Sequence, residues 1–174
     1  GCDFMCSFCI IPFARGRSRH REFNNLCAEA EQQVASGIQE IVLTGVNLGT
    51  YDLEGRNLVD VVDFLDSLKD LQRIRISSIE PTTVDPGLLE RMGDQSHKLV
   101  PFLHLPVQSG SNRILELMKR RYNALDYARE VEEAILKIPD LCVGADVMVG
   151  FPGEGELEFT CLLYTSDAAD DVIS

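Results

Sequence analysis

Residues 40–79 read EIVLTGVNLGTYDLEGRNLVDVVDFLDSLKDLQRIRISSI and decide the fold class. Two runs rich in Val, Ile and Leu, at 40–46 and 73–79, are typical of parallel strands that are covered on both faces. Between these runs, apolar residues follow helical spacing at Leu58, Val61, Val62, Leu65 and Leu68. Asn57 precedes this stripe as an N-cap, and Asp60 lies in the first turn, where the helix dipole favours an acid. The stretch therefore predicts a strand–helix–strand unit.

The same alternation continues on both sides of this unit. Further strands are predicted at Pro101–Val107 and Cys142–Val149, and an earlier helix at Ala28–Val34 ends at Gly37. Asp85-Pro86 opens a short helix as N-cap and first-turn proline, and a longer helix is begun by Asn123 and halted at Pro139. Repeated strand–helix units predict an α/β fold, either a partial (β/α) TIM-like barrel or an open doubly wound sheet. In both folds the functional groups gather where the strands end.

Composition and charge limit the class of protein. With 174 residues, of which 45% are hydrophobic, the chain can bury one core. It opens on Gly1 without a signal peptide or an apolar membrane span, so we expect a cytoplasmic fragment. The formal charge of -12 argues against a large nucleic-acid footprint. Arg15, Arg17, Arg19 and Arg21 nevertheless cluster, which leaves room for a local anion-binding patch.

Three cysteines stand close together at the start, in the string GCDFMCSFC. Cys2, Cys6 and Cys9 are too close in sequence to pair readily as relaxed disulfides. Three thiolates on one loop can bind three irons of a four-iron, four-sulfur cluster and leave the fourth iron open. Zinc is the alternative metal, but it would need a fourth ligand, and Cys27 or His20 are the nearby candidates.

This spacing, with Phe8 before the third cysteine, resembles the cluster loop of the radical S-adenosylmethionine superfamily. Within that superfamily, five strings are similar, in order, to the methylthiotransferase family that modifies transfer RNA. They are GCDFMCSFCIIPFARGRSRHR, EIVLTGVNLGTY, RISSIEP, LHLPVQSGSNRILELMKRRY and GADVMVGFPGE. The TGVNLG and SSIEPTTVD strings resemble the branch that acts on threonylcarbamoyl-adenosine next to the anticodon. The resemblance covers about residues 1–159 and implies the radical S-adenosylmethionine type of barrel.

The resemblance also implies a set of site residues. Cys2, Cys6 and Cys9 would bind the cluster, whose open iron chelates S-adenosylmethionine, and Phe8 would lie near the adenine. The other implied cofactor contacts come from strand ends: Thr44, Gly45 and Asn47 for the methionine amino group, Ser78, Glu80, Gln108 and Ser109 for the ribose and carboxylate side, and Gly150 and Phe151 for the adenine. The string from Thr44 to Asn47 departs here from the more usual Gly-Gly-Glu.

The implied activity is that of a transferase. An electron from the reduced cluster would cleave S-adenosylmethionine to methionine and a deoxyadenosyl radical, which removes a hydrogen from the adenine ring before sulfur insertion and methylation. The implied partners are transfer RNA, contacted by Arg15, Arg17, Arg19 and Arg21, and an external flavodoxin- or ferredoxin-like electron donor. Alternatives are a ribosomal-protein methylthiotransferase, another radical enzyme of the superfamily, or a zinc-stabilised or electron-transfer module.

The family contains an N-terminal domain with a second cluster and a C-terminal RNA-binding domain, and this chain includes neither. We therefore expect residues 1–159 to be an incomplete core, truncated at both ends of the barrel and unable to complete methylthiolation alone. Residues 160–174, TCLLYTSDAADDVIS, show no clear period. We interpret them as a non-native tail.

Several other residues have structural interpretations. Cys27 in a helix and Cys142 in an apolar strand are expected to pack in the core. The side chain of His104 should point away from Leu103 and Leu105, either as a satisfied core histidine or as a substrate contact. The basic run 119–121 is expected to be a solvated helix end, with an RNA phosphate contact as the alternative.

Overall fold

The structure is a computed structural model that describes residues 1–170. Its strands are β1 (Glu40–Leu43), β2 (Asp52–Leu53), β3 (Arg56–Asn57), β4 (Arg73–Ile76), β5 (Phe102–His104) and β6 (Cys142–Gly144). Its α-helices are α1 (Ile11–Arg15), α2 (Phe23–Ala35), α3 (Leu58–Ser67), α4 (Pro86–Gly93), α5 (Asn112–Leu117), α6 (Ala124–Lys137) and α7 (Glu156–Asp170). Short 3-10 turns follow at Leu48–Thr50 and Pro81–Thr83.

The longer strands pair in parallel, as predicted. Strand β1 pairs with β4, and β5 pairs with β6, whereas β2 and β3 form a small antiparallel hairpin. The Ile79 N–H donates to the His104 carbonyl at 3.0 Å, which joins the two parallel pairs. These pairings confirm the α/β class. Closure into a barrel stays a prediction, because residues 1–170 contain two-stranded pairings and not a continuous barrel sheet.

Every predicted strand is longer than the observed one. The strands end at Leu43, Ile76, His104 and Gly144, which is three to five residues before the predicted ends. Residues beyond these points remain buried, for example Ile79 at 1% and Val107 at 5% exposure. An apolar run indicates that residues are buried, but not that they pair in a sheet. The predictions based on apolar runs therefore overestimated the lengths of the strands.

The helix starts follow their capping residues. Asn57 and Asp60 form a capping box at α3, Asn123 and Asp126 form one at α6, and Asp85 caps α4. These starts confirm the predictions, because a cap satisfies backbone N–H groups within one turn of the sequence. Helix α2 begins before the predicted Ala28, since the Glu22 carboxylate accepts hydrogen bonds from the backbone of the first turn.

The helices cover one face of the parallel strands. Ile74, Ile76, Leu103 and Leu105 on that face are at most 1% exposed. The other face carries Val42, which is half exposed, and Cys142, which is exposed. The prediction that both faces are covered, and that Cys142 packs in the core, is therefore wrong for the described residues. Cys27 is buried in α2, as predicted.

The end of the described chain is helical. Helix α7 runs through the segment that shows no clear period, up to Asp170, and residues 171–174 lie outside the described residues. The non-native origin of residues 160–174 stays a prediction. Within residues 1–170, no helix combines the length and apolar character needed to cross a membrane.

Candidate functional site

A cavity of about 150 Å³ lies where β4 and β5 lead into their loops. It brings together the three N-terminal cysteines, which come from one loop, and polar residues from four other segments. The residues that line it include Cys2, Cys6, Cys9, Phe8, Asn47, Ser78, Glu80, Gln108 and Arg120. Eight of the sequence-predicted site residues thus share one cavity, although they are up to 106 positions apart.

The cysteine loop is held by hydrogen bonds at both ends and in its middle. The Cys2 N–H donates to the Gly16 carbonyl at 3.1 Å, and the Cys9 N–H donates to the Cys6 carbonyl at 3.1 Å. Ser7 binds the end of α5, through its N–H to the Met118 carbonyl at 3.0 Å and its hydroxyl to the Leu117 carbonyl at 2.8 Å. These hydrogen bonds therefore fix the path of the cysteine loop.

None of the three thiols of the loop forms a disulfide within the described part of the chain. Among the described residues, no three His, Cys, Asp or Glu side chains form a group that could hold one metal ion. A structural zinc ion needs four ligands on one metal, so this donor set does not support the zinc alternative. A cubane cluster has a different requirement, because each thiolate binds a different iron. Three separate thiols around one cavity fit that requirement.

A buried ion pair lies beside the cysteines. Arg120 Nη2 donates to Glu80 Oε2 at 2.7 Å, and the side chains of Arg120 and Glu80 are only 5% and 12% exposed. Burial raises the pKa of Glu80 above its ordinary value, although Arg120 opposes the shift. Burial also acts to lower the pKa of Arg120, but its partners outweigh this effect and raise it. The second carboxylate oxygen, Glu80 Oε1, is buried and has no hydrogen-bond partner among residues 1–170.

A second polar arrangement follows the open face of the strands. Ser78 Oγ lies 2.8 Å from His104 Nδ1, and His104 Nε2 lies 3.5 Å from Asp146 Oδ1. His104 points away from the buried Leu103 and Leu105, as predicted. Sequence reasoning did not identify Asp146. The sequence offers one indication of Asp146. It lies two positions after Gly144, the last residue of β6, and a spacing of two keeps residues of an extended chain on the same face.

Five predicted cofactor residues lie outside the cysteine cavity. Thr44 and Gly45 line a larger neighbouring cavity of about 930 Å³, which Asn47 and Ser78 also border. Ser109 is fully buried, and its hydroxyl accepts from the Ser111 N–H at 3.2 Å. The backbone N–H groups of Gly150 and Phe151 donate to the Glu154 carboxylate.

The four predicted RNA-contacting arginines have different surroundings. Arg15, Arg19 and Arg21 line the larger cavity. Arg21 pairs with Glu29, and Arg17, whose side chain is 88% exposed, lies 3.2 Å from Asp3. The prediction of a solvated basic helix end at 119–121 is wrong for Arg120, because that side chain is buried at the cysteine cavity.

Comparisons with known proteins identify a family and several relatives of this chain. The family model described as the radical SAM superfamily matches residues 1–160. A tRNA-2-methylthio-N(6)-dimethylallyladenosine synthase of Cereibacter sphaeroides is 41% identical over 94% of this chain and 37% of its own length. The threonylcarbamoyladenosine tRNA methylthiotransferase MtaB of Bacillus subtilis is 43% identical over 91% of this chain and 36% of its own length. The chain therefore spans little more than a third of these curated relatives.

Proposed function

Because the chain belongs to the radical SAM superfamily, we propose that it is part of the catalytic core of a tRNA methylthiotransferase. One observation carries the proposal: three free cysteines line a single cavity together with a buried carboxylate that has an unpaired oxygen. The similarity to two tRNA-modifying enzymes over more than nine-tenths of the chain supports the reaction class.

The residues present fit a four-iron, four-sulfur cluster and S-adenosylmethionine. Cys2, Cys6 and Cys9 would hold the cluster by three irons, which leaves one iron for the cofactor. When bound, the two groups together supply the electron and the deoxyadenosyl radical that activate the substrate. The protein residues would bind and orient these groups.

Polar residues of the cavity would orient S-adenosylmethionine. Glu80 Oε1 offers a buried acceptor to a hydroxyl or ammonium group, which would satisfy an atom that otherwise lacks a partner. Phe8, Asn47, Ser78 and Gln108 line the same cavity and supply an aromatic face and polar groups. The cofactor role of the five residues outside this cavity, from Thr44 to Phe151, stays a prediction.

The substrate we propose is threonylcarbamoyl-adenosine in transfer RNA, next to the anticodon. The TGVNLG and SSIEPTTVD strings and the 43% identity to a threonylcarbamoyladenosine methylthiotransferase support this choice. The second candidate is dimethylallyl-adenosine, because a relative named for that nucleoside is 41% identical. Arg15 and Arg19 at the larger cavity are the candidate phosphate contacts. An external flavodoxin- or ferredoxin-like protein in the cytoplasm would deliver the electron.

The test is anaerobic reconstitution of the chain with iron and sulfide, followed by dithionite reduction and measurement of 5'-deoxyadenosine formed from S-adenosylmethionine. We expect Cys6→Ala to reduce deoxyadenosine to background, because one iron loses its ligand. Cys142→Ala is the matched control, since Cys142 is exposed on β6. Equal yields from the wild type and Cys6→Ala would contradict the proposal.

The same assay distinguishes the two nucleosides. We expect transfer RNA that carries threonylcarbamoyl-adenosine to raise the deoxyadenosine yield above that with dimethylallyl-adenosine. A higher yield with dimethylallyl-adenosine would assign the chain to the second candidate.

A further inference from the structure

Arg120 is the one guanidinium among the described residues that borders the cysteine cavity, and its three nitrogens all have partners. Nη1 donates to Cys6 Sγ at 3.2 Å, Nη2 to Glu80 Oε2 at 2.7 Å, and Nε to the Tyr122 hydroxyl at 3.1 Å. Two of these partners do not belong to the cysteine loop. The orientation of the guanidinium is therefore determined independently of the cysteine.

The two partners are themselves anchored. The Tyr122 hydroxyl donates to the Pro106 carbonyl at 2.8 Å, and the side chain of Glu80 is largely buried. The Arg120 guanidinium also lies over the Tyr122 ring, 5.0 Å from its centroid. A buried charge is tolerated only when it is paired, so this network keeps Arg120 charged and in one position.

The chain segment that carries Arg120 also holds the cysteine loop. Ser7 hydrogen-bonds to the carbonyls of Leu117 and Met118, and the Arg121 guanidinium stacks over the Phe4 ring at 4.0 Å. Lys119 adopts a positive φ of 59°, so the chain turns sharply after α5 and directs the next residue inward. Arg120 and Cys6 thus belong to one rigid unit.

We propose that Arg120 is a positioning residue that stabilises the reduced state of the cluster through the Cys6 sulfur. This inference rests on the proposed function, because it requires that Cys6 be a cluster ligand. Reduction adds negative charge to the cluster and its thiolates. A hydrogen bond to a ligand sulfur and a nearby positive charge both favour the more negative state, and hydrogen bonds and net charge are known determinants of cluster potentials. Arg120 therefore raises the reduction potential and makes the electron easier to deliver.

The experiment is an EPR-monitored redox titration of the reconstituted full chain in the absence of S-adenosylmethionine. We compare the wild type with Arg120→Met, which removes the charge and the donors, and with Arg120→Lys, which keeps the charge. We expect Arg120→Met to favour the oxidised state at least tenfold, a fall of about 59 mV for a one-electron couple. Arg120→Lys should give a smaller fall.

Arg121→Met is the matched control. It removes the same charge from the neighbouring residue, which contacts Phe4 and the Asp3 carbonyl and, within residues 1–170, donates no hydrogen bond to a cysteine sulfur. We expect a shift well below that of Arg120→Met. A second measurement is the hyperfine coupling of an exchangeable proton near the reduced cluster, which Arg120→Met should weaken and Arg121→Met should leave unchanged.

Arg120→Met leaves Glu80 buried without its partner, so the double variant Glu80→Gln/Arg120→Met serves if the single variant does not fold. Failure of the wild type to take up iron and sulfide would overturn the proposed function. A wild type that takes up the cluster, with the same potential in the Arg120 variants, would overturn this inference alone. A fall equal to that in Arg121→Met would do so as well, since it would reflect net charge and not the contact with Cys6.

Discussion

The two faces of the parallel strands differ in what they contain and in what they contribute. On the helix-covered face, Ile74 and Leu105 are completely buried and belong to the hydrophobic core. On the open face, Val42 is 50% exposed, and His104 takes part in a polar arrangement with Ser78. Alternate residues of the same short strands thus supply the hydrophobic core on one face and polar groups near the cavity on the other. We infer that stability and chemistry are separated by the alternation of side chains along each strand.

The largest expected loss of stability comes from a substitution on the helix-covered face. Ile74→Ala should lower the free energy of unfolding by about 2–5 kcal/mol, because it leaves a cavity where the side chain is fully buried. Val42→Ala, on the paired strand β1, is the control, and it should cost less than about 1 kcal/mol because Val42 is half exposed. Urea unfolding followed by circular dichroism measures both. Equal losses would show that the open face is covered in solution.

A smaller effect tests the helices that cover this face. Asn123→Ala should cost about 1 kcal/mol, because the Asn123 side chain accepts the Asp126 N–H at 2.9 Å at the start of α6. Asn123→Ser retains an acceptor and should restore most of the stability. The same urea experiment measures the difference, and an unchanged midpoint for Asn123→Ala would contradict a role for the cap.

The smallest effect concerns an ion pair between α3 and α4. Arg91 donates to both carboxylate oxygens of Asp63 at 2.9 Å, and this hydrogen bonding lowers the pKa of Asp63. The pair therefore stabilises the fold above the unfolded pKa of an aspartate, and this contribution disappears as the pH falls through the lower folded value. Because Asp63 is 45% exposed, Asp63→Asn should cost less than about 1 kcal/mol at pH 7.

Thermal unfolding at pH 7 and at pH 2–3 checks this sign. The difference in melting temperature between the wild type and Asp63→Asn should shrink at the lower pH and in high salt. A difference that grows on acidification would contradict the assignment.

The local features of the fold could be predicted because their causes lie within a few residues. The helix starts at Asn57 and Asn123 and the three-cysteine loop each depend on groups less than ten positions apart. The strand ends could not be predicted from apolar character, because Val107 is buried but lies beyond the paired residues of β5.

The sequence by itself determined the α/β class, the starts of α3, α4 and α6 and the spacing of the cysteine loop, because helical periodicity, caps and short spacing act locally. Only the tertiary structure decided that Cys142 is exposed and that Arg120 is buried. Glu80 and Cys6, the partners of Arg120, lie 40 and 114 positions away from it. A charge in a basic run is expected to be solvated unless distant residues enclose it, and such an enclosure exists only once the chain has folded.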